Sequence, residues 1–338
     1  MGVSISAGGL DKVFSILGKE YDIYAPKKFV GKGRFSDTDC IRYDKIHSVG
    51  EIVFDEKSSY SFKEILTPIC QTLFYFNEED MKVADGPKKG ALVFLRSCDL
   101  HAVRRLDDMY LHNGPEDFYY KRIRDKIKFI LMGCEKSFDS CFCVSMGSNR
   151  ADNYDASIDL IDGSYLMDCK WKELEALLKE QTQTECQVKP SYVKENKILV
   201  SIPENLSNEV MKSSIWREYD SRCIACGRCN FVCPTCTCFS MQDIFYTDNG
   251  KSGERRRVMA SCMVDGYTDV AGGGQYRMKN GDRMRFKVLH KSLNFKERKG
   301  YNMCVGCGRC DDICPEYISY SACLNKLETG MEEVTKND

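Results

Sequence analysis

Two short, unbroken apolar runs stand out in the first half of the chain, at residues 91–95 and, directly after Lys128, at residues 129–132. Runs of this length without polar alternation are typical of strands that are covered on both faces of a sheet. Between them, apolar residues from Leu100 to Tyr110 follow helical spacing, and Asp99 is placed to cap the N-terminus of that helix. The pattern predicts two buried strands joined by a helix, as in an α/β domain.

Weaker patterns predict further elements on both sides of this unit. Three short strands are expected, at 51–54, 158–160 and 198–202. Three helices are also expected, beginning at Ser61 or Thr67, at Trp171 and at Leu206. The polar stretch from 181 to 196 is the predicted boundary between an α/β domain over 1–195 and a second domain over 196–338.

The second domain is dominated by two cysteine runs of identical spacing, Cys-x2-Cys-x2-Cys-x3-Cys-Pro. In bacterial ferredoxins this spacing holds two 4Fe-4S clusters, and the fourth cysteine of each run binds the other cluster. A compact loop reaches three iron corners of a cube, so a more distant residue must bind the last. The predicted ligands of the first cluster are Cys223, Cys226, Cys229 and Cys314. Those of the second cluster are Cys304, Cys307, Cys310 and Cys233.

Zinc binding and disulfide bonding are the alternatives for these cysteines. Structural zinc sites pair two Cys-x2–4-Cys units, and they leave a third cysteine at the same spacing without a role. Disulfide bonds require an oxidising compartment, but residues 1–18 contain Asp11 and Lys12 and lack the apolar core of a secretory signal. The chain is therefore expected to be cytoplasmic and to bind iron–sulfur clusters.

A long segment separates the two cysteine runs, and residues 239–300 are predicted to be a subdomain inserted into a ferredoxin-like α+β domain. Three further cysteines lie between the runs, Cys236, Cys238 and Cys262, for which packing beside the clusters is a simpler role than metal binding. The basic residues of the insertion are expected to form a solvated face or a surface that docks a protein partner. They include Arg277, Arg283, Arg285 and Lys287.

Another group of cysteines follows the two buried strands of the first domain. Cys98 comes after the first strand, Cys134 after the second, and Cys141 and Cys143 lie in the loop beyond. Because neighbouring parallel strands place their carboxyl ends at one edge of the sheet, these thiols are expected to converge. We predict that they bind a third 4Fe-4S cluster, with Asp99 as an alternative oxygen ligand. Ordinary packing of small core residues is the competing explanation.

Composition argues against several other functions. Among 338 residues, 49 basic and 50 acidic side chains give a net charge of -1, which offers no field to attract nucleic acid. No apolar run approaches the ~20 residues of a membrane span. No Gly-x-Gly-x-x-Gly follows a strand, and the cysteine spacing of a sirohaem-coupled cluster is absent. Flavin, nicotinamide and sirohaem are therefore not expected in this chain.

Five motifs of the chain carry a family resemblance. They are Phe94-Leu-Arg-Ser-Cys-Asp-Leu-His101, Cys141-Phe-Cys143, Cys233-Pro-Thr-Cys-Thr-Cys238, Ser261-Cys-Met263 and the second cysteine run. They resemble motifs of a family that includes the iron–sulfur subunit of anaerobic sulfite reductase and the β subunits of sulfhydrogenases. The resemblance extends from about residue 85 to 325, and the overall pattern is closest to the sulfite reductase protein.

This resemblance implies an electron-transfer subunit, with no substrate site of its own, in a cytoplasmic complex. Its partners would be a flavoprotein subunit that oxidises NADH and a sirohaem subunit that reduces sulfite to sulfide. The shared motifs fit equally well the electron-transfer β subunit of a sulfhydrogenase or another nickel–iron hydrogenase. A cysteine-rich zinc module that mediates protein interactions is the remaining alternative.

Overall fold

The structure is a computed structural model that describes residues 2–35, 37–181 and 184–337. Its strands are β1 (Gly2–Ile5), β2 (Tyr21–Phe29), β3 (Cys40–Lys45), β4 (Cys70–Phe76), β5 (Met81–Val83), β6 (Gly90–Leu95), β7 (Ile127–Met132), β8 (Ala156–Ile161), β9 (Ser164–Cys169), β10 (Thr184–Glu185), β11 (Phe239–Phe245), β12 (Gly253–Met259), β13 (Asp269–Val270) and β14 (Gly274–Gln275).

The helices are α1 (Ala7–Leu17), α2 (Lys63–Leu66), α3 (Ser97–Tyr110), α4 (Phe118–Arg124), α5 (Lys172–Gln181), α6 (Glu218–Arg222), α7 (Arg228–Phe231), α8 (Asn280–Leu289), α9 (Phe295–Lys299), α10 (Arg309–Ile313) and α11 (Tyr320–Asn337). Short 3-10 turns lie at Val49–Glu51, Asn208–Lys212 and Ser214–Trp216. A π turn at His290–Asn294 joins α8 to α9. No helix of the described ranges is long and apolar enough to cross a membrane.

A mixed eight-stranded sheet forms the centre of the N-terminal half, in the order β10-β1-β9-β8-β7-β6-β2-β3. Strands β2, β6, β7 and β8 run parallel, and the outer strands pair antiparallel. The predicted buried strands are β6 and β7, which are direct neighbours with Leu95 opposite Leu131. Their carboxyl ends therefore lie side by side at one edge of the sheet, as the sequence predicts. Strand β8 and helix α5 also agree with their predicted positions.

Both faces of this sheet are covered by helices, which explains the unbroken apolar runs. Leu92 and Phe94 of β6 face a core that includes residues of α1 and α5. Val93 and Leu95, which alternate with them, face a second core that includes residues of α3 and α4. This second core also contains Cys307 of the second cysteine run. The second run is thus packed against the same face of the sheet as α3.

A smaller antiparallel sheet connects the two halves of the chain. Its order is β11-β12-β4-β5, so a hairpin of the predicted insertion pairs with a hairpin of the first domain. The buried Arg257 of β12 binds Asp117 at 2.5 Å and Gln71 at 2.9 Å, which joins the same halves again. The insertion therefore shares a sheet with the first domain, and the boundary near residue 195 stays a prediction.

Two expected elements before β6 are wrong. The helix predicted from Thr67 is replaced by β4, because its aromatic residues suit a strand and the distant β12 supplies the pairing partner. The alternative start at Ser61 yields only the single turn of α2, without a side-chain cap. The strand predicted at 51–54 is absent because Glu51 accepts hydrogen bonds from nearby backbone amides and closes a 3-10 turn.

Two expected elements before the first cysteine run are also wrong. Residues 198–202 form no strand, because Ser145 and Asn325 accept hydrogen bonds from backbone amides of this segment through their side chains. The helix predicted over 206–219 breaks into two 3-10 turns and the start of α6. The segment instead connects the loop after β7 with α11.

Candidate metal centres

The two cysteine runs fold into loops of nearly identical backbone geometry. Gly227 and Gly308 occupy the same position in their runs and have left-handed φ angles of 73° and 69°. Two residues earlier, Ala225 and Gly306 are also left-handed, with φ angles of 55° and 64°. Each loop then enters a short helix, α7 or α10, which carries the third cysteine. A left-handed alanine is uncommon, so the loop conformation is maintained against a local preference.

Backbone amides point at the cysteine sulfur atoms of both loops. The amide of Ala225 donates to Cys223 Sγ, and that of Gly306 donates to Cys304 Sγ, each at 3.4 Å. The amide of Ile318 donates to Cys314 Sγ at 3.3 Å. Hydrogen bonds to sulfur favour the thiolate form, and they tune the potential of a bound iron–sulfur cluster. The loops are thus arranged to support negatively charged sulfur.

Each run surrounds a cavity together with the last cysteine of the other run. The first cavity is lined by Cys223, Cys226, Cys229, Cys310 and Cys314. The second is lined by Cys229, Cys233, Cys304, Cys307 and Cys310. Cys229 and Cys310 therefore form part of the wall between the cavities. The structure brings together the cysteines that were assigned to each cluster from their spacing. Their binding of iron stays a prediction.

The chemistry of these cavities fits 4Fe-4S clusters. A mononuclear zinc site needs its ligand atoms within about 2.3 Å of one point. Within the described ranges no three Cys, His, Asp or Glu side chains form such a group. The four cysteines of a cube bind different corners, so they surround a space rather than a point. The crossed cysteine sets around two adjoining cavities match that requirement.

Burial makes the thiols of the second cavity poor acids in the absence of a cation. It raises the pKa of Cys304 to about 12 and that of Cys307 to about 11. Burial also raises the pKa of Cys310 well above its ordinary value. Thiolates at these positions therefore need a compensating positive charge, and binding to iron provides one.

The four N-terminal cysteines lie near the carboxyl ends of β6 and β7. Cys98 is in the first turn of α3, and Cys134 follows β7. The pKa of Cys143 is raised to about 11, mainly by burial and more weakly by the neighbouring thiols of Cys141 and Cys134. The pKa of Cys98 is raised mainly by burial and then by Asp99, and Cys307 acts on it more strongly than Cys143 does. Cys134, Cys141 and Cys143 thus form a group of interacting thiols that Cys98 meets through Cys143, and of the four only Cys134 lines the neighbouring pocket.

The loop that carries Cys141 and Cys143 lies directly on the second cysteine run. The amide of Phe142 donates to the Gly306 carbonyl at 2.8 Å, and the Cys141 thiol donates to the Cys307 carbonyl at 3.6 Å. A side chain at Gly308 would clash with the backbone oxygen of Ser140. Glycine is therefore required here both for its left-handed backbone and for the close approach of the loop.

Asp99, the predicted alternative ligand, forms an ion pair with Arg309. Both of its carboxylate oxygens accept hydrogen bonds from Arg309, at 2.7 and 2.8 Å, and both side chains are almost completely buried. Asp99 also does not cap α3, because Arg96 occupies the N-cap position. The carboxylate instead connects α3 with the second cysteine run, in which Arg309 follows the left-handed Gly308.

Two of the three extra cysteines, Cys262 and Cys236, contact residues of the first cysteine run, and a packing role for all three stays a prediction. Asn230 donates to Cys262 Sγ at 3.1 Å. A hydrogen bond from the Cys262 thiol lowers the pKa of Cys238 to about 6. Cys236 neighbours Cys233, and it lines neither cavity.

Several buried basic residues were not found by sequence reasoning. Lys287 and Arg283, expected on a solvated face, are only 4% and 3% exposed. Lys291, one helical turn beyond Lys287, is 3% exposed. The available signal was their position beside Met284, Val288 and Leu289, because a basic residue on the apolar face of a helix is directed at the core.

Comparison with known proteins agrees with the C-terminal part of this description. Residues 222–318 match the family model described as a 4Fe-4S dicluster domain. "Sulfhydrogenase 2 subunit beta" of Pyrococcus furiosus is 29% identical over 305 residues, which cover 86% of this chain and 90% of that protein. No solved structure matches the chain. The predicted combination of an α/β fold with a C-terminal 4Fe-4S dicluster domain is confirmed.

Proposed function

We propose that this chain is an iron–sulfur electron-transfer subunit that carries three 4Fe-4S clusters. The first would be held by Cys223, Cys226, Cys229 and Cys314, and the second by Cys304, Cys307, Cys310 and Cys233. The third would be held by Cys98, Cys134, Cys141 and Cys143. The observation that carries the proposal is the pair of adjoining cavities with crossed cysteine sets in a segment that matches a dicluster domain. Each cluster, when bound, takes up and releases single electrons.

The arrangement of the cysteines supports a linear relay with the second cluster in the middle. Cys229 and Cys310 border both ferredoxin cavities, so the first and second clusters would be adjacent. The contact between Cys141 and the Cys307 carbonyl supports a position for the third cluster next to the second. Both ends of the relay approach solvent, because Cys226 is exposed and Cys134 lines an open cavity.

Exposed ends and a buried centre are the arrangement that transfer between two partner proteins requires. The apolar side chains of Ile224 and Tyr317, near Cys226, are 57% and 78% exposed. Apolar surface beside an exposed cluster ligand favours contact with another protein. We therefore propose that the chain works in a complex, with one partner at the Cys226 end and another at the Cys134 end.

Two complexes are candidates for this role. A sulfhydrogenase, with this chain as its β subunit, is supported by the Pyrococcus furiosus relative. An anaerobic sulfite reductase, in which a flavoprotein subunit oxidises NADH and a sirohaem subunit reduces sulfite, is supported by the motif resemblance. In both, the substrate would be converted on a partner subunit, and the chain would carry electrons in the cytoplasm.

Anaerobic purification of the tagged chain from its own cells tests this function. We expect a brown complex whose visible absorbance bleaches with dithionite. A nickel-containing partner identifies a hydrogenase, and a partner with sirohaem absorbance identifies a sulfite reductase. The chain separated from its partners should be reduced by dithionite but should form no sulfide from sulfite. A colourless, zinc-containing chain, or sulfide production by the chain alone, would contradict the proposal.

A further inference from the structure

Three lysines are buried around the ferredoxin loops without an acidic partner. Lys63, Lys287 and Lys291 are 1%, 4% and 3% exposed. No Asp or Glu of the described ranges forms an ion pair with any of them, and the acidic groups that act on them most strongly are cysteine thiols. A buried ammonium group is costly unless an anion and hydrogen bonds compensate for lost hydration. The positions of these lysines therefore require a source of negative charge nearby.

Two other cations near the second cysteine run have acidic partners. Arg309 is paired with Asp99, and Lys57 binds Asp312 at 2.6 Å. Lys63 is directed at backbone, because it donates to the carbonyls of Asn230 and Cys236 at 3.2 and 3.1 Å. It therefore supports the first cysteine loop from behind. Among the residues that line the cavities, Lys287 and Lys291 are the buried positive charges without an acidic partner, whereas Arg228 at the first cavity is exposed.

The two remaining lysines differ in which cavity they border. Lys287 lines both cavities, whereas Lys291 lines only the second. The Lys291 ammonium donates to Thr235 Oγ1 at 2.7 Å and to Cys233 Sγ at 3.6 Å. Lys291 belongs to the π turn between α8 and α9. Such turns change the direction of side chains locally and are frequent at functional sites.

Asp311, which lies beside Cys310, does not offset these lysines. Asp311 accepts hydrogen bonds from the Cys310 thiol at 3.4 Å and from the Tyr320 amide at 2.8 Å. It makes further hydrogen bonds with Ser319 and Ser321. No contact joins it to Lys287 or Lys291 within the described part of the chain. The negative charge of the clusters with their thiolate ligands is thus the available counter-charge.

We infer that Lys291 selectively raises the reduction potential of the second cluster, and that Lys287 raises the potentials of both ferredoxin clusters. Reduction adds one electron to a cluster without making or breaking a covalent bond, so its negative charge increases. A fixed positive charge in a buried, low-dielectric site stabilises the reduced form more than the oxidised form. Net charge and hydrogen bonds to sulfur are known determinants of cluster potential. The inference rests on the proposed ligand sets.

Redox titration of the full-length, anaerobically reconstituted chain, followed by EPR, tests the inference. Methionine replaces lysine with a neutral side chain of similar length. We expect Lys291→Met to weaken reduction of the second cluster tenfold or more, which is about 59 mV for a one-electron couple. The first cluster should change less. Lys287→Met should lower both potentials.

Matched controls separate the charge effect from a general disturbance. Lys296→Met removes an exposed lysine of the same helical segment and should leave both potentials unchanged. Lys291→Arg keeps the positive charge and should remain closer to wild type than Lys291→Met. The Cys233→Ala variant assigns the two EPR signals.

The outcomes distinguish this inference from the proposed function. Unchanged potentials in a Lys291→Met chain that holds full iron would overturn the inference and leave the ligand sets intact. Wild-type chain without clusters would overturn both. If the Lys291→Met protein does not retain iron, the Lys287→Met protein provides the test. A fall in the reduction potentials of both ferredoxin clusters supports the inference, and unchanged potentials overturn it.

Discussion

Replacing Cys233 with alanine should remove the cluster of the second cysteine run, although Cys233 belongs to the first run. The physical reason is the crossed geometry, in which Cys233 borders the same cavity as Cys304, Cys307 and Cys310. A 4Fe-4S cluster that loses one of its four cysteine ligands has an iron atom without a protein ligand, and the cluster becomes labile. We expect iron to fall from about 12 to about 8 atoms per chain, at four per cluster. EPR of the dithionite-reduced protein should lose the signal of the second cluster.

A matched control lies three residues away in the same loop. Cys236 borders neither cavity, so Cys236→Ala should keep the full iron content and the EPR signals of both ferredoxin clusters. Loss of only the first-run signal in Cys233→Ala would mean that each run binds its own cluster. That result would refute the crossed ligand sets and with them the order of the proposed relay.

Replacing Asp99 with asparagine should destabilise the fold by about 3–5 kcal/mol, because it leaves the buried Arg309 guanidinium without its counter-charge. The pair is bidentate, and both side chains are at most 2% exposed. It also connects α3 with the second cysteine run, so the damage should reach both halves of the chain. The measurement is anaerobic urea unfolding of the reconstituted protein, followed by tryptophan fluorescence.

Two further variants show whether the loss of stability comes from the unpaired buried charge. Asp139→Asn breaks a highly exposed pair with Lys197, so it should change the stability far less than Asp99→Asn does. Replacing both Asp99 and Arg309 with leucine should recover part of the stability, because no lone charge remains buried. An Asp99→Asn protein within about 1 kcal/mol of wild type would show that the pair contributes little.

The elements that the sequence predicts correctly are those with a strong local signal. The unbroken apolar runs of β6 and β7 identify strands because burial on both faces excludes polar residues. The segment that forms β4 was misassigned because its partner, β12, is far away in the chain. The strand predicted at 198–202 is wrong for a similar reason. Its backbone amides donate to the side chains of the distant Ser145 and Asn325 instead of to a neighbouring strand. Pairing between distant segments leaves no local pattern.

The candidate sites follow the same rule. Cysteine spacing reflects the geometry of a loop around a cube, so the crossed groups could be predicted from the chain alone. The pairing of Asp99 with Arg309 depends on the packing of the second run onto α3, and no local pattern indicates it. The buried Lys287 and Lys291 resemble ordinary surface lysines until the neighbouring apolar positions are considered.

Iron analysis of the reconstituted wild-type chain and of Cys134→Ser tests the three-cluster relay most directly. The account predicts about 12 iron atoms per wild-type chain, at four per cluster, and about 8 in Cys134→Ser with the dicluster EPR spectrum intact. About 8 iron atoms in fully reconstituted wild type, with no change in Cys134→Ser, would contradict the third cluster and return Cys98, Cys134, Cys141 and Cys143 to a packing role.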